Sequence, residues 1–226
     1  MKKRLFFSFI AFINLFLWAS CGTPVDEGFI SEGVITYLAE VMDTESPMAS
    51  MAPSKMKIKF KNNKSSAEMS AGMGMLTTSF ISDPETKTFT QLIRFLDKKY
   101  SVIQNSVEIK KENELFNLEI IPTKETKIIA GYKCNKVIVH YKGGEPSDYE
   151  VYYTTDLDIK NPNFANPYFN IDGILMEYKI KKFGLEMKFT ATSVEKIEIE
   201  NSTFELPPDY KQISVEEMTD LFIDFQ

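Results

Sequence analysis

The feature that most constrains this chain is an alternation of apolar and polar residues that repeats every two positions. In Lys55–Lys61, three apolar residues fall on one side and four lysines on the other. Successive side chains of a β-strand point to opposite faces, so this segment is predicted to be a half-buried strand. The same alternation recurs between turns in four further sets: Ile35, Tyr37 and Val41; Leu76, Thr78 and Phe80; Phe89, Gln91, Ile93 and Phe95; and Tyr149, Val151 and Tyr153.

Near the C-terminus the alternation ends in a hairpin that is followed by a helix. Residues 174–180 and 185–191 form its two strands, with a turn near Phe183 and Gly184. Ser214 and Glu217 have the spacing of a capping box, and no other segment shows a helix pattern of this strength. Long antiparallel meanders close or curl. The apolar residues predicted to share one helix face are Val215, Met218, Phe222 and Phe225.

The N-terminus has the pattern of an export signal. A cationic start at residues 2–4 is followed by a thirteen-residue apolar run at 5–17 and by two small residues before Cys21. About 20 apolar residues are needed to span a bilayer, so the run is too short for a permanent transmembrane helix. The junction resembles the lipobox of bacterial lipoproteins, in which the cysteine thiol receives diacylglycerol. The alternative is ordinary secretion with an unmodified Cys21.

We therefore divide the chain into a signal peptide (1–20), a lipidated tether (21–29) and a single domain (30–226). The signal peptide carries three of the 26 basic and none of the 32 acidic residues, which leaves a formal net charge of −9. This balance argues against nucleic acid as a partner. Gly22–Gly28, extended at about 3.5 Å per residue, would hold the domain within roughly 25 Å of its membrane. In the enterobacterial lipoproteins that the junction resembles, a glycine after the cysteine goes with transfer to the outer membrane.

The chain has few side chains that support redox, metal or nucleophilic chemistry. Cys134 is the one cysteine besides Cys21, so the chain has no disulfide framework. His140 is the single histidine, which removes most transition-metal and triad chemistry. Both are predicted to be structural, and we expect no catalytic residue, cofactor or metal. The alternative is a cell-envelope hydrolase that uses a pair of carboxylates, although no spacing singles out such a pair.

A methionine-rich segment is the first candidate for ligand binding. Seven methionines lie between Met42 and Met75, and methionine supplies an adaptable apolar surface. A flexible apolar loop is the favoured interpretation. Four of these residues also have spacings at which thioether sulfurs could gather Cu(I), which is the alternative. The four are Met48, Met51, Met73 and Met75.

An aromatic segment is the second candidate. Asp156–Asp172 has little strand pattern but contains Phe164, Tyr168 and Phe169. Long connections of this kind are often functional, so the segment is predicted to form a rim or lid over a pocket. The equally supported alternative is that these rings cap the core of the sheet. Phe222 of the C-terminal helix could close the same pocket or dock outside it.

The lysines of Lys55–Lys61 allow two interpretations. They could meet anionic lipid or polysaccharide close to the membrane. The favoured interpretation is a solvated outer face that also protects an edge strand from aggregation.

Three motifs carry a resemblance to known families. Thr126–Cys134 (TKIIAGYKC) resembles secreted and lipid-anchored proteins of Bacteroidota that form a domain of unknown function related to LolA and LolB. Phe204–Tyr210 (FELPPDY) is similar to the closing motif of the same families, and Gly173–Glu177 (GILME) to the second half of the GLPGLI family motif. The resemblance implies an incomplete antiparallel barrel with a few short helices and an apolar hollow. It implies no reaction.

These observations predict a mainly β domain built on a single curved antiparallel sheet. We expect a protein anchored by lipid in the cell envelope, at the periplasmic or surface face of the outer membrane. Its hollow would bind an acyl chain, a lipid or the lipidated end of another protein. The remaining alternative is a structural or interaction scaffold that binds no ligand.

Overall fold

The computed structural model describes residues 30–45, 49–142, 148–182 and 185–223, and its dominant feature is one sheet of twelve strands. The predicted signal peptide, Cys21 and the tether lie outside the described residues. The described helices are α1 (Ser106–Leu115) and α2 (Val215–Ile223), with short 3-10 turns at Ala49–Met51, Gly72–Gly74 and Asn201–Phe204. The strands are β1 (Glu32–Val41), β2 (Lys55–Lys61), β3 (Lys64–Ala71), β4 (Leu76–Asp83), β5 (Thr88–Phe95), β6 (Lys98–Gln104), β7 (Leu118–Ile129), β8 (Tyr132–Tyr141), β9 (Tyr149–Thr154), β10 (Ile174–Lys182), β11 (Leu185–Glu195) and β12 (Lys211–Gln212).

The strand order across the sheet is β12-β6-β5-β4-β3-β2-β1-β11-β10-β9-β8-β7. The prediction of a mainly β chain with one large sheet is confirmed, and the sheet is open, with β12 and β7 at its two edges. It is mixed rather than wholly antiparallel, because β12 pairs with β6 in the parallel direction. All other neighbouring strands are antiparallel.

The two faces of the sheet are clearest at β2. Its apolar residues point to the inner face, where Met56 and Phe60 are buried, while Lys55, Lys57 and Lys59 on the outer face are exposed. The predicted solvated lysine face is therefore confirmed. The predicted role in protecting an edge strand is wrong, because β2 lies between β1 and β3 in the middle of the sheet.

The C-terminal segment passes from the outer to the inner face around β6. On the outer face, the Lys61 ammonium donates to the Ile199 carbonyl at 2.7 Å. The chain then forms β12 at the edge, where Lys99 pairs with Asp209 within the FELPPDY motif. Finally α2 places Met218 against a second, smaller inner-face cluster. The predicted capping box is confirmed, since the Glu217 amide donates to the Ser214 hydroxyl at 3.1 Å and the Ser214 amide to the Glu217 carboxylate at 2.8 Å.

Helix α1 is an element that the sequence interpretation missed. Its N-cap is Asn105, whose side chain accepts from the amides of Val107 and Glu108 at 2.9 and 3.2 Å. The Glu108 carboxylate in turn accepts from the Asn105 amide at 2.8 Å, which completes a capping box. Ile109 and Asn113 are the buried residues of this helix, whereas its other apolar residues, Val107 and Leu115, are exposed. None of the helices in the described part of the chain has the length and apolar composition needed to cross a membrane.

Candidate functional site

The inner face of the sheet encloses an apolar hollow of about 300 Å³. Strands β1 to β5 form one wall with β10 and β11, and α1 and the connection that follows β9 form the other. Its volume is at the lower end of the range of small-molecule sites. The lining residues from the strands are Ile35, Tyr37, Met56, Ile58, Ser65, Ala67, Met69, Ala71, Leu76, Thr78, Phe80, Ser82, Phe89, Ile174, Leu175, Tyr178, Ile180, Leu185, Met187 and Phe189.

The hollow lies over β3 and β4, where small inward side chains leave space. Ala67 faces Phe80 across the two strands, and Ser65 faces Ser82. Phe80 stacks on Phe89 with ring centroids 5.7 Å apart, so the larger rings form a floor instead of filling the space above Ala67. The hollow therefore arises from residue size at successive inward positions of two adjacent strands.

Among the described lining residues, the opposite wall carries the carboxylate and amide side chains. Glu112 and Asn113 of α1 line the hollow, as do Asn163 and Asn166 of the connection between β9 and β10. The Asn113 amide donates to the Phe164 carbonyl at 3.2 Å, which fastens α1 to this connection. The lining residues of this wall are Glu112, Asn113, Phe116, Ile159, Pro162, Asn163, Ala165, Asn166 and Pro167.

Amide hydrogen bonds fix the shape of that connection. The buried Asn163 side chain donates to the Ile171 and Gly173 carbonyls, each at 2.8 Å, and its oxygen accepts from the Asn166 amide at 3.1 Å. The Asn166 side-chain oxygen accepts from the backbone N–H of Tyr168 at 2.9 Å. An internally bonded segment of this kind gives the hollow a defined rim rather than a loose cover.

The predicted aromatic residues take different places from the ones that line the hollow. Tyr168 is 1% exposed and lies in the core, where its hydroxyl donates to the Lys179 carbonyl and meets the Tyr149 hydroxyl at 2.9 Å. Burial raises the pKa of Tyr168 well above its usual range. Phe164 is half-buried and Phe169 is exposed. The segment thus borders the hollow as predicted, but through its proline, alanine and asparagine residues.

Of the four predicted methionines, the two whose side chains the structure describes, Met73 and Met75, do not line the hollow. Met73 is fully exposed in the 3-10 turn between β3 and β4, at a left-handed φ of 54°, and Met75 is 46% exposed. Met48 lies outside the described residues, as do the side chains of Met51 and Phe222. The Cu(I) alternative, which needs all four methionines, stays a prediction.

Three other methionines line the hollow instead: Met56, Met69 and Met187. Their signal was present in the sequence, because each falls on the inward parity of a strand, whereas Met73 and Met75 flank a glycine in a turn. The inward or outward position of a methionine in a strand therefore predicts better whether it lines the hollow than the number of methionines nearby does.

Cys134 and His140 lie away from this hollow on β8. The Cys134 thiol is buried in the core and donates to the Tyr132 carbonyl at 3.4 Å. Burial raises the pKa of this thiol to about 11, so it is not a thiolate at neutral pH. His140 is exposed, with its Nδ1 atom 2.6 Å from the Asp148 carboxylate.

Comparison with known proteins finds similar solved structures but no match among protein families or curated sequences. A solved structure of PNGF-II is similar over 85% of this chain, with a TM-score of 0.56 and 18% sequence identity. The match covers 33% of the PNGF-II chain, so this chain spans about a third of that protein's length. At this identity the likeness shows the fold alone.

Proposed function

We propose that this protein binds an apolar ligand, either an acyl chain or the lipidated end of another protein, in the inner-face hollow. The observation that carries the proposal is a volume of about 300 Å³ walled mainly by aliphatic, aromatic and methionine side chains. Apolar surface of this kind favours ligands that bury hydrocarbon and make few directional polar bonds. The role is binding rather than catalysis, and Glu112 is the one carboxylate among the described lining residues, where a hydrolase would need a pair.

The proposal includes a LolA/LolB-like incomplete barrel. Its support is the three sequence motifs together with an open sheet whose hollow-bearing face also carries α1 and α2. The FELPPDY motif lies where the chain turns around the edge of the sheet, and its Tyr210 ring lies under the Lys99 ammonium at 5.8 Å. The motif would then serve to hold α2 against the inner face.

The proposal also includes a lipid anchor on Cys21 at the outer membrane. Ile30, the first described residue, forms a β-bridge with Leu157, and the Asp158 amide donates to its carbonyl at 3.1 Å. The tether would therefore join the domain beside the connection that borders the hollow. Labelled palmitate should enter the wild type, and the proposed anchor is refuted if Cys21→Ala takes up as much label and still fractionates with membranes.

Ligand binding is tested by filling the hollow. The chain from residue 22 onward should co-purify with extractable lipid in native mass spectrometry and take up a neutral fluorescent apolar probe. Ala67→Phe places a ring in the space opposite Phe80, and we expect it to weaken probe binding at least about tenfold by lost apolar burial. Glu68→Phe is the matched control, because Glu68 is exposed on the outer face of the same strand.

A bare, folded protein that takes up no probe would refute ligand binding. It would leave a scaffold that uses its inner face for packing alone. Equal weakening by Ala67→Phe and Glu68→Phe would also count against the hollow, because only the first substitution changes its volume. An aspartate at Tyr168 would not test ligand binding, since a charge at a residue that is 1% exposed would disrupt the core itself.

A further inference from the structure

The tether joins the domain next to a wall of the hollow. Ile30, the residue after the tether, forms a β-bridge with Leu157, and its carbonyl accepts from the Asp158 amide at 3.1 Å. Ile159, two residues after Leu157, lines the hollow. Paired strands lie about 5 Å apart, and each residue extends a chain by at most about 3.5 Å. The wall of the hollow therefore begins within roughly 12 Å of the end of the tether.

Packing and hydrogen bonds hold this junction in place. Ile30 packs against the main core cluster, and Leu157 and Ile159 are both buried members of that cluster. The Lys160 amide donates to the side-chain oxygen of Asn63, in the turn between β2 and β3, at 2.9 Å. The tether therefore starts from a fixed point of the domain rather than from a loose end.

The tether is longer than the distance to the hollow. Cys21 precedes Ile30 by nine positions (30 minus 21), which extend to roughly 30 Å at about 3.5 Å per residue. A tethered group that can reach a site is present there at an effective concentration far above that of the same group free in solution. A lipid on Cys21 is therefore within reach of the hollow of its own chain.

The capacity of the hollow sets the balance between two places for this lipid. At about 30 Å³ for each water-sized group, the hollow holds on the order of ten such groups, which suits part of one acyl chain. A bilayer covers every chain of the lipid over its full length. Because apolar burial is favourable in proportion to the area removed from water, the bilayer should hold the lipid better than the hollow does, and the hollow better than water.

We propose that the hollow holds an acyl chain of the protein's own Cys21 lipid whenever that lipid is outside a membrane, and releases it when the anchor inserts. This inference rests on the proposed function and names its ligand. The hollow is then closed to other acyl chains in the lipidated protein away from membranes, and it opens to them once the anchor is in a bilayer. Such a device keeps the anchor out of water while the protein moves between membranes.

The test uses the full chain with a photoreactive fatty acid on Cys21, supplied to the expressing cells with a diazirine on the acyl chain. The purified protein is freed of detergent and irradiated with and without vesicles of phosphatidylethanolamine and phosphatidylglycerol. Mass spectrometry then quantifies the peptides of β3 and β4 that are crosslinked to the lipid. We expect at least about tenfold more crosslinking without vesicles, because the vesicles compete with the hollow for the lipid.

Three comparisons assign the crosslinks. Isotopically heavy protein with an ordinary lipid is mixed in at equal amount, and crosslinks within one chain then contain light peptides only. Cys21→Ala, grown with the same fatty acid, measures crosslinking by any lipid that co-purifies. Ala67→Phe fills the hollow and should lower crosslinking at least about tenfold, whereas Glu68→Phe, on the outer face of the same strand, should leave it unchanged.

The outcomes separate this inference from the proposed function. Suppose that the chain from residue 22 onward takes up the neutral probe, but the Cys21 lipid does not crosslink to β3 and β4. Occupancy by the protein's own lipid is then overturned, and apolar binding stands. Crosslinks shared equally between light and heavy chains have the same meaning, because the hollow then takes the lipid of another copy.

Two further results would overturn the inference alone. One is crosslinking that vesicles do not reduce, and the other is crosslinking as strong in Cys21→Ala as in the wild type. If neither the neutral probe nor the Cys21 lipid enters the hollow of the folded protein, the proposed function is overturned, and this inference with it.

Discussion

The inner face of the sheet is packed solid in one region and hollow in another, although both belong to the same sheet. The filled region is defined by Val139, Val151, Tyr168 and Met176, each at most 1% exposed, and none of these four lines the hollow. The hollow region lies over β3 and β4, where Ala67 and several hydroxyl residues point inward. Backbone pairing is continuous through both regions, so side-chain size at inward positions decides where the sheet encloses space.

The filled region also supplies the rigidity on which the hollow depends. Tyr178 borders the hollow and contacts the Tyr37 and Tyr168 rings edge-on, at centroid distances of 6.1 and 6.0 Å. The Tyr37 hydroxyl donates to the Leu175 carbonyl at 2.8 Å. One wall of the hollow is thus the surface of a well-packed aromatic cluster, which keeps the space from collapsing.

The largest expected difference between the regions is in the cost of removing side-chain volume. Met176→Ala leaves a cavity in the filled region and should lower the free energy of unfolding by about 3 kcal/mol. Ala67→Phe adds volume to the hollow region and should change it by less than about 1 kcal/mol, since overpacking a filled core costs about 1–3 kcal/mol. Urea unfolding measures both. A cost for Ala67→Phe as large as that for Met176→Ala would mean that the hollow is not open space.

The strands were predictable from the sequence because alternation is a local signal. Parity alone placed Met56, Ile58 and Phe60 on the inner face, and it would also have placed Met69. The order of the strands was not readable in this way, because the pairing of β1 with β11 joins residues about 150 positions apart. The local alternation of residues determines which face of the sheet a side chain is on. Which strands lie next to it depends on pairing between distant parts of the chain.

Helix α1 and the hollow's polar wall escaped prediction for different reasons. The helix has little apolar periodicity, because Ile109 is its buried apolar residue. The capping box of Asn105 and Glu108 was therefore the only signal in the sequence that indicated a helix. In the aromatic segment, the rings were predicted to border the pocket. Tyr168 lies in the core instead, and the smaller Ala165 lines the hollow. Which residue of an irregular segment faces a space depends on its hydrogen bonds, which are tertiary.

A smaller expected difference concerns two tyrosine hydroxyls at the boundary of the regions. Tyr168→Phe removes the donor to the Lys179 carbonyl and the partner of the Tyr149 hydroxyl, and should lower the free energy of unfolding by about 1–2 kcal/mol. Tyr178→Phe should cost less than about 0.5 kcal/mol, because within the described residues the Tyr178 hydroxyl makes no hydrogen bond and its ring is retained. Equal costs in urea unfolding would contradict this assignment of the filled region's polar contacts.

The outer faces of the two regions differ in charge pairing. Behind the filled region, Lys136 lies between the carboxylates of Glu125 at 3.0 Å and Glu150 at 2.6 Å. Behind the hollow region, Lys55, Lys57 and Lys59 form no ion pair with any residue that the structure describes. Ion pairs therefore join neighbouring strands behind the filled region. Behind the hollow region, repulsion between the lysines is reduced only by screening from water and salt.

This contrast gives the smallest expected effect, which depends on pH. Hydrogen bonds from Lys136 and from the Tyr152 hydroxyl lower the pKa of Glu150 below its ordinary value of about 4.3. A carboxyl whose folded pKa is lowered stabilises the fold above its unfolded pKa, and this contribution is lost as the pH falls through the folded pKa. Glu150→Gln should therefore be slightly less stable than the wild type at pH 7, and the difference should shrink below about pH 4. The Glu150 side chain is half exposed, so the effect should also weaken in high salt. Thermal unfolding at pH 7 and pH 3, with and without salt, measures it, and a difference that grows as the pH falls would refute the ionic role of Glu150.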